Sequence, residues 1–235
     1  MDSMKILRIA LTGIILFSLF ILSSCIPESK DIYYSGKPFT DSVYSGGAQI
    51  IPGKLQCEYY DSGGEGIAYH DTDTVNEGSG GLNPADGKYL NGFRKNEAVD
   101  ISYTKMDERM IDNNPFNFTE QVKDQLYVGW TAAGEWTKYT VEVKKTAYYQ
   151  LGIMYTSNQN AKISLSVNET DLSGPLNIPS TYVEADSLRW RQWHHWNYID
   201  SLTTIKLKKG RQTITLHTVE IGWMNYDFLS FKLLK

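Results

Sequence analysis

Two kinds of side chain in this sequence could do chemistry: carboxylates and aromatic rings. Glu65, Asp71, Glu97, Asp100 and Glu135 are the candidate carboxylates. Cutting a glycosidic bond needs two carboxyl groups roughly 5–10 Å apart across it, and none of these five stands in a hydrolase motif. They leave a weak, unrecognised glycoside hydrolase as one reading and an ordinary acidic surface as the plainer one. His194 and His195 are adjacent, so on a strand they point to opposite faces and do not have the spacing of a zinc pair. Gly78-Ser79-Gly80-Gly81 is followed by no Lys-Ser/Thr and opens no helix, so it is not a phosphate loop.

The aromatic rings carry the stronger signal. Of 30 aromatic residues 16 are Tyr and 6 are Trp, types that stay partly exposed and offer a flat apolar face with a polar tip. The axial C–H bonds of a pyranose pack against such a face. Most of these rings are expected in a core, but the run from Trp190 through Trp193 to Trp196 is too polar for a continuous core strand. Trp196 is expected to enter the core with the next strand, while Trp190 and Trp193 compete for an exposed role. Trp130, between Gly129 and Thr131-Ala132-Ala133-Gly134, stands near a strand end.

The elements that must position these residues are strands. Residues 54–59, 136–143, 148–155, 162–167, 203–207, 213–217 and 227–233 alternate or run apolar in strand fashion. Strands separated by turns, with no sustained helical period, predict an all-β chain folded as an antiparallel β-sandwich. Residues 120–125 could form one helical turn. From about residue 63 to 128 the chain is rich in Gly, Asn and Pro, and so irregular a stretch is expected to decorate one end of the sandwich with functional loops.

At the N-terminus, Lys5 and Arg8 precede an apolar run over residues 9–22 that is shorter than the roughly 20 residues a spanning helix needs. It ends in Leu22-Ser23-Ser24-Cys25, which resembles the lipobox of bacterial lipoproteins. The expectation is a signal peptide over 1–24, lipidation of Cys25, a tether or arm over 25–50, and one domain over 51–235. With Cys25 acylated, Cys57 has no partner for a disulfide in the chain. The net charge of −4 gives no electrostatic case for nucleic acid.

Several blocks, in order from about residue 51 onward, resemble family 6 carbohydrate-binding modules. They are Leu55-Gln56-Cys57-Glu58-Tyr59-Tyr60, the stretch Gly63-Gly64-Glu65 to Asp71-Thr72, and Phe93-Arg94 with Ala98-Val99-Asp100-Ile101. Val128-Gly129-Trp130 with Gly134-Glu135-Trp136, Trp193-His194-His195-Trp196, and Met224-Asn225-Tyr226-Asp227-Phe228 complete the set. The resemblance implies a jelly roll with a glycan site in the loops at one end. It implies that Trp130 and Trp193 sandwich a sugar and that Asn225 hydrogen-bonds its hydroxyls. It further implies a structural calcium ion on Gln56, Glu58 and Asp227, hard oxygen donors of the kind Ca²⁺ takes. Gln56 stands where the family commonly has Glu, which removes one charge from that set. The long stretches over 71–126 and 180–190 depart from the family's usual size and leave the glycan class open.

Together these readings predict a non-catalytic glycan-binding protein, exported and held on a bacterial membrane through a lipid anchor, at the outer membrane or cell surface. A separately encoded glycoside hydrolase is a natural working partner for it. The competing reading is a surface adhesion lipoprotein that holds another protein, which a flat apolar patch would favour.

Overall fold

The computed structural model describes residues 34–234; the expected signal peptide and Cys25 lie outside the described residues. Among the described residues thirteen strands form two facing sheets. They are β1 (Gln49–Ile51), β2 (Gly53–Gln56), β3 (Tyr69–His70), β4 (Ile101–Tyr103), β5 (Leu126–Thr131), β6 (Trp136–Val143) and β7 (Ala147–Ser157). There follow β8 (Ala161–Val167), β9 (Thr170–Asp171), β10 (Leu176–Ile178), β11 (Asn197–Leu207), β12 (Gly210–Glu220) and β13 (Met224–Leu233). One sheet runs β1-β6-β12-β8-β10, with β3 on β6 and β9 on β8. The other runs β11-β7-β13-β5-β4, with β2 on β13. The fold is an all-β sandwich of jelly-roll type, antiparallel throughout its long strands, with β1 parallel to β6 at one edge.

Alternation decides which side chains fill the space between the sheets. Along β6, Tyr139, Val141 and Val143 are fully buried and meet Leu151, Ile153 and Tyr155 of β7, Ile214 and Leu216 of β12, and Leu229 and Phe231 of β13 in one core. The strand predicted over 54–59 is shorter than expected. It stops at Gln56, and Cys57–Tyr59 turn as a 3-10 helix that carries Glu58 into the interior. No helix forms over 120–125; the one α-helical turn among the described residues is Tyr89–Gly92.

Packing refines two expectations. First, of the tether or arm expected over 25–50, the part from Tyr34 packs on the domain as an arm. Lys37 bridges to Ser62, Phe39 enters the core, and the Tyr44 ring stacks on Tyr59 at 4.0 Å. Second, the long irregular stretch does not all gather at one end. Its later part, residues 104–125, lies against the outer face of the second sheet. There Tyr127, Met154, Phe228 and a fully buried Trp196 form a separate apolar cluster. The segment is pinned by the Trp196 indole, which donates to Asp112 Oδ1 at 2.7 Å. The Trp196 carbonyl in turn accepts from the Phe118 and Thr119 amides. Trp196 is therefore core, as the sequence predicts.

Candidate functional site

Three of the predicted residues meet at one end of the sandwich, where β13 begins and β5 and β7 end. Met224 pairs with Thr131 on one side and Ser157 on the other. Between that pair and Tyr226–Val128 the β5 strand has one residue more than β13, so Gly129 and Trp130 together oppose Asn225. Such a bulge kinks the strand and re-aims a side chain. Trp130 takes the strained left-handed backbone, at φ 49°, and remains half-buried. A Cβ on Gly129 would sit 3.0 Å from Asn225 Oδ1, so the glycine lets the amide close on the bulge.

Asn225 is a cross-tie. Its Oδ1 accepts from the Trp130 amide at 3.3 Å, and its Nδ2 donates to the Trp193 carbonyl at 2.8 Å and to Thr156 Oγ1 at 3.0 Å. Thr156 Oγ1 in turn donates to the same Trp193 carbonyl at 2.9 Å. One buried side chain thus holds the two tryptophan-bearing segments to each other. Both of its N–H groups are engaged within the protein, and only a lone pair on Oδ1 is left for any other contact.

Trp193 closes the 3-10 helix Arg189–Trp193 and is half-buried; Trp190, at the other end of the competition, is 47% exposed with its ring edge-on to His194. The loop carrying both is braced from beneath. Asp186, fully buried, accepts two bonds from the Arg191 guanidinium at 2.7 and 2.8 Å and pairs with His195 Nε2 at 2.8 Å. The Arg191 hydrogen bonds, with the Leu188 amide and His195, hold the Asp186 carboxyl well below the usual carboxylate range. His194 turns the other way, to Asp112, so the two histidines diverge.

Trp223 is a residue that sequence reasoning missed. It is 41% exposed, has φ 52°, and immediately precedes the Met224 that pairs with the strand end carrying Trp130. Gly222 beside it packs so closely on the β7–β8 turn that a Cβ would meet Ser157 Oγ at 2.5 Å. Two tryptophans on neighbouring strand ends thus take a backbone conformation that bulky residues avoid. The available signal was position alone, two residues before Asn225.

The predicted cation ligands also converge. Gln56 lies opposite Phe228 on paired strands, next to Asp227, and Glu58 follows in the 3-10 turn. β13 bulges against β7 at Asp227. Each residue has one buried oxygen without a partner among the described residues: Gln56 Oε1, Glu58 Oε2 and Asp227 Oδ1. The other carboxylate oxygens accept amides from the 104–125 segment and its end, Glu58 Oε1 from Gln125 at 3.1 Å and Asp227 Oδ2 from Gln121 at 2.8 Å. Burial pushes the Asp227 carboxyl up to about 7, and burial together with the Asp227 charge raises Glu58 well above its ordinary value. Three orphaned hard oxygens, two of them from carboxylates, fit the donor type that a calcium ion would take.

The candidate catalytic carboxylates are bound up in the framework. Glu135 accepts from Thr72 Oγ1 at 2.6 Å and from the Ala132 amide at 2.6 Å. Glu97 holds Arg94 at 2.8 Å, and Glu65 meets His70 Nδ1 at 2.5 Å. Asp71 and Asp100 each accept a loop amide, from Asp73 and Glu77. Burial raises these last two carboxyls to about 6 and about 7. Asp71 and Glu135 line a small pocket between the sheet ends, beside Trp136 and Thr131.

The jelly roll therefore places tryptophans at one end and engages its candidate carboxylates in hydrogen bonds within its own framework. The family model for carbohydrate binding module (family 6) matches residues 101–232, more than half of the chain. The chain belongs to this family of non-catalytic carbohydrate-binding modules. Among solved structures it is similar to a β-1,3-glucan binding family 6 module from Bacillus halodurans. The two share 14% identity over 79% of this chain and 98% of that one, with a TM-score of 0.44. It is also similar to a family 6 module from Clostridium stercorarium in complex with cellobiose, at 12% identity over 80% and 99%, TM-score 0.44. A family 35 module from Clostridium thermocellum matches at 17% identity over 57% and 88%, TM-score 0.40. No curated protein sequence matches the chain.

Proposed function

We propose that the tryptophan-bearing end holds a glycan, with a sugar stacked between Trp130 and Trp193 and a neighbouring unit on Trp223. The observation that carries this reading is the Asn225 amide, which bonds both tryptophan segments and fixes their spacing. Rings held before the ligand arrives lose little freedom on binding, and stacking supplies apolar contact without a charge on the sugar. Asn225 acts mainly by position in this scheme, offering the ligand an acceptor rather than a donor.

The test is a glycan array on the chain from Tyr34, followed by calorimetry on the best ligand. Trp130→Ala and Trp193→Ala should each weaken binding roughly tenfold, and Trp223→Ala should weaken long ligands more than short ones. A folded chain that captures no glycan, or that binds equally well without Trp130 and Trp193, rejects the site.

Gln56, Glu58 and Asp227 are proposed to hold a structural calcium ion, supported by their three unpartnered oxygens. Cys25, after its lipobox-like sequence, is proposed to anchor the protein to a bacterial membrane, where it would present captured polysaccharide to a separately encoded glycoside hydrolase. Mass spectrometry of the N-terminal peptide from the native membrane should find acyl chains on Cys25; an unmodified thiol there removes the anchor.

A further inference from the structure

The end of the sandwich opposite the tryptophans is basic. Two turns meet there, the one after β6 with Lys144 and Lys145 and the one after β11 with Lys208 and Lys209. The Lys209 amide donates to Thr146 Oγ1 at 2.8 Å, joining them. Lys206 and Arg211 flank the second turn. All six cations are exposed, and none forms an ion pair among the described residues. Glu142, across the ladder from Arg211, is the acid nearest to them along the strands. On a chain of net charge −4 this is a strong asymmetry.

Exposed apolar side chains stand among the cations. Tyr148 is 55% exposed and opposite Lys206, Leu234 donates its amide to the Tyr148 carbonyl, and Ile50 and Leu233 lie exposed at the adjoining strand ends. Lysines around a tyrosine and aliphatic tips are the composition that suits a lipid headgroup layer. There the cations meet phosphates while the apolar groups enter the acyl boundary. A polyanionic glycan or nucleic acid would leave the apolar tips without a partner.

We propose that this pole docks on the anionic surface of a lipid bilayer, which turns the tryptophan end outward. The inference does not rest on the glycan reading, because the two sites lie at opposite ends of the same strands. The chain from Tyr34 contains both sheets and the core cluster of the described residues, so it is the unit to test. It should co-sediment with vesicles containing phosphatidylglycerol and not with phosphatidylcholine alone, and the binding should weaken as salt is raised. Reversing Lys144, Lys145, Lys208 and Lys209 to Glu should weaken it roughly a hundredfold, with circular dichroism showing the fold retained. Tyr148→Ala, which leaves every charge in place, should weaken vesicle binding severalfold. Equal binding to both vesicle types, or an undiminished reversal variant, overturns the proposal. So does retention on heparin with no binding to phosphatidylglycerol, which assigns the pole to an anionic polymer.

Discussion

Calcium should raise the unfolding midpoint of the metal-free chain strongly at about pH 8 and little at about pH 5. The reason lies in protons. Without metal, Asp227 titrates at about 7 and Glu58 also titrates above its ordinary range, both because they are buried. The unfolded chain releases the same protons near pH 4. Between those values the folded state binds more protons than the unfolded one, so the metal-free protein loses stability as pH rises through that window. Calcium replaces those protons with a charge that the carboxylates can meet. At about a thousand times its dissociation constant an ion adds roughly 4 kcal/mol. Asp227→Asn should both flatten the pH dependence and abolish most of the calcium response. Identical midpoints in calcium and in chelator at both pH values would sink the site.

The second large effect is expected at Asn225. Replacing it with Ala removes three hydrogen bonds and leaves the Trp130 amide and one lone pair of the Trp193 carbonyl without partners. At about 1 kcal/mol net for each bond, stability should fall by roughly 3 kcal/mol. Glycan affinity should fall further than that of either tryptophan variant, on the order of a hundredfold, because both rings lose their fixed separation at once. Calorimetry well below the unfolding midpoint separates the two consequences. Binding retained within about twofold in the folded variant would mean that the loops hold themselves and that the tie is dispensable.

How much of this could be read from the residues depends on the range of the interaction. β6 and β8 were legible because two-residue alternation is set locally by the pleat, and β7 because it runs apolar over most of its length. The 3-10 turn at Cys57–Tyr59 was not, since Leu55-Gln56-Cys57-Glu58 alternates equally well as strand; the turn carries Glu58 inward to Asp227, a residue far away in sequence. The arm from Tyr34 has the Gly and Pro content of a linker, and only its long-range contacts, Lys37 with Ser62, Phe39 in the core and Tyr44 on Tyr59, join it to the domain. At the site, Trp130, Trp193 and Asn225 came from motif order, and the geometry brings them together. Their connection through one amide, and the presence of Trp223 beside them, are properties of strand register that no local pattern carries.

The length of β7 has a mechanical consequence. Its 11 residues run from Ala147 near one pole to Ser157 at the other, roughly 35 Å. It is hydrogen-bonded on one side to β11 and on the other to β13 for most of that distance. A pull on a captured polymer, with the base of the domain held, runs parallel to these strands. It loads both ladders in shear, so many bonds resist together instead of parting one after another. These three strands therefore make the domain a stiff strut, and under tension a bound sugar is expected to let go before the sheet does.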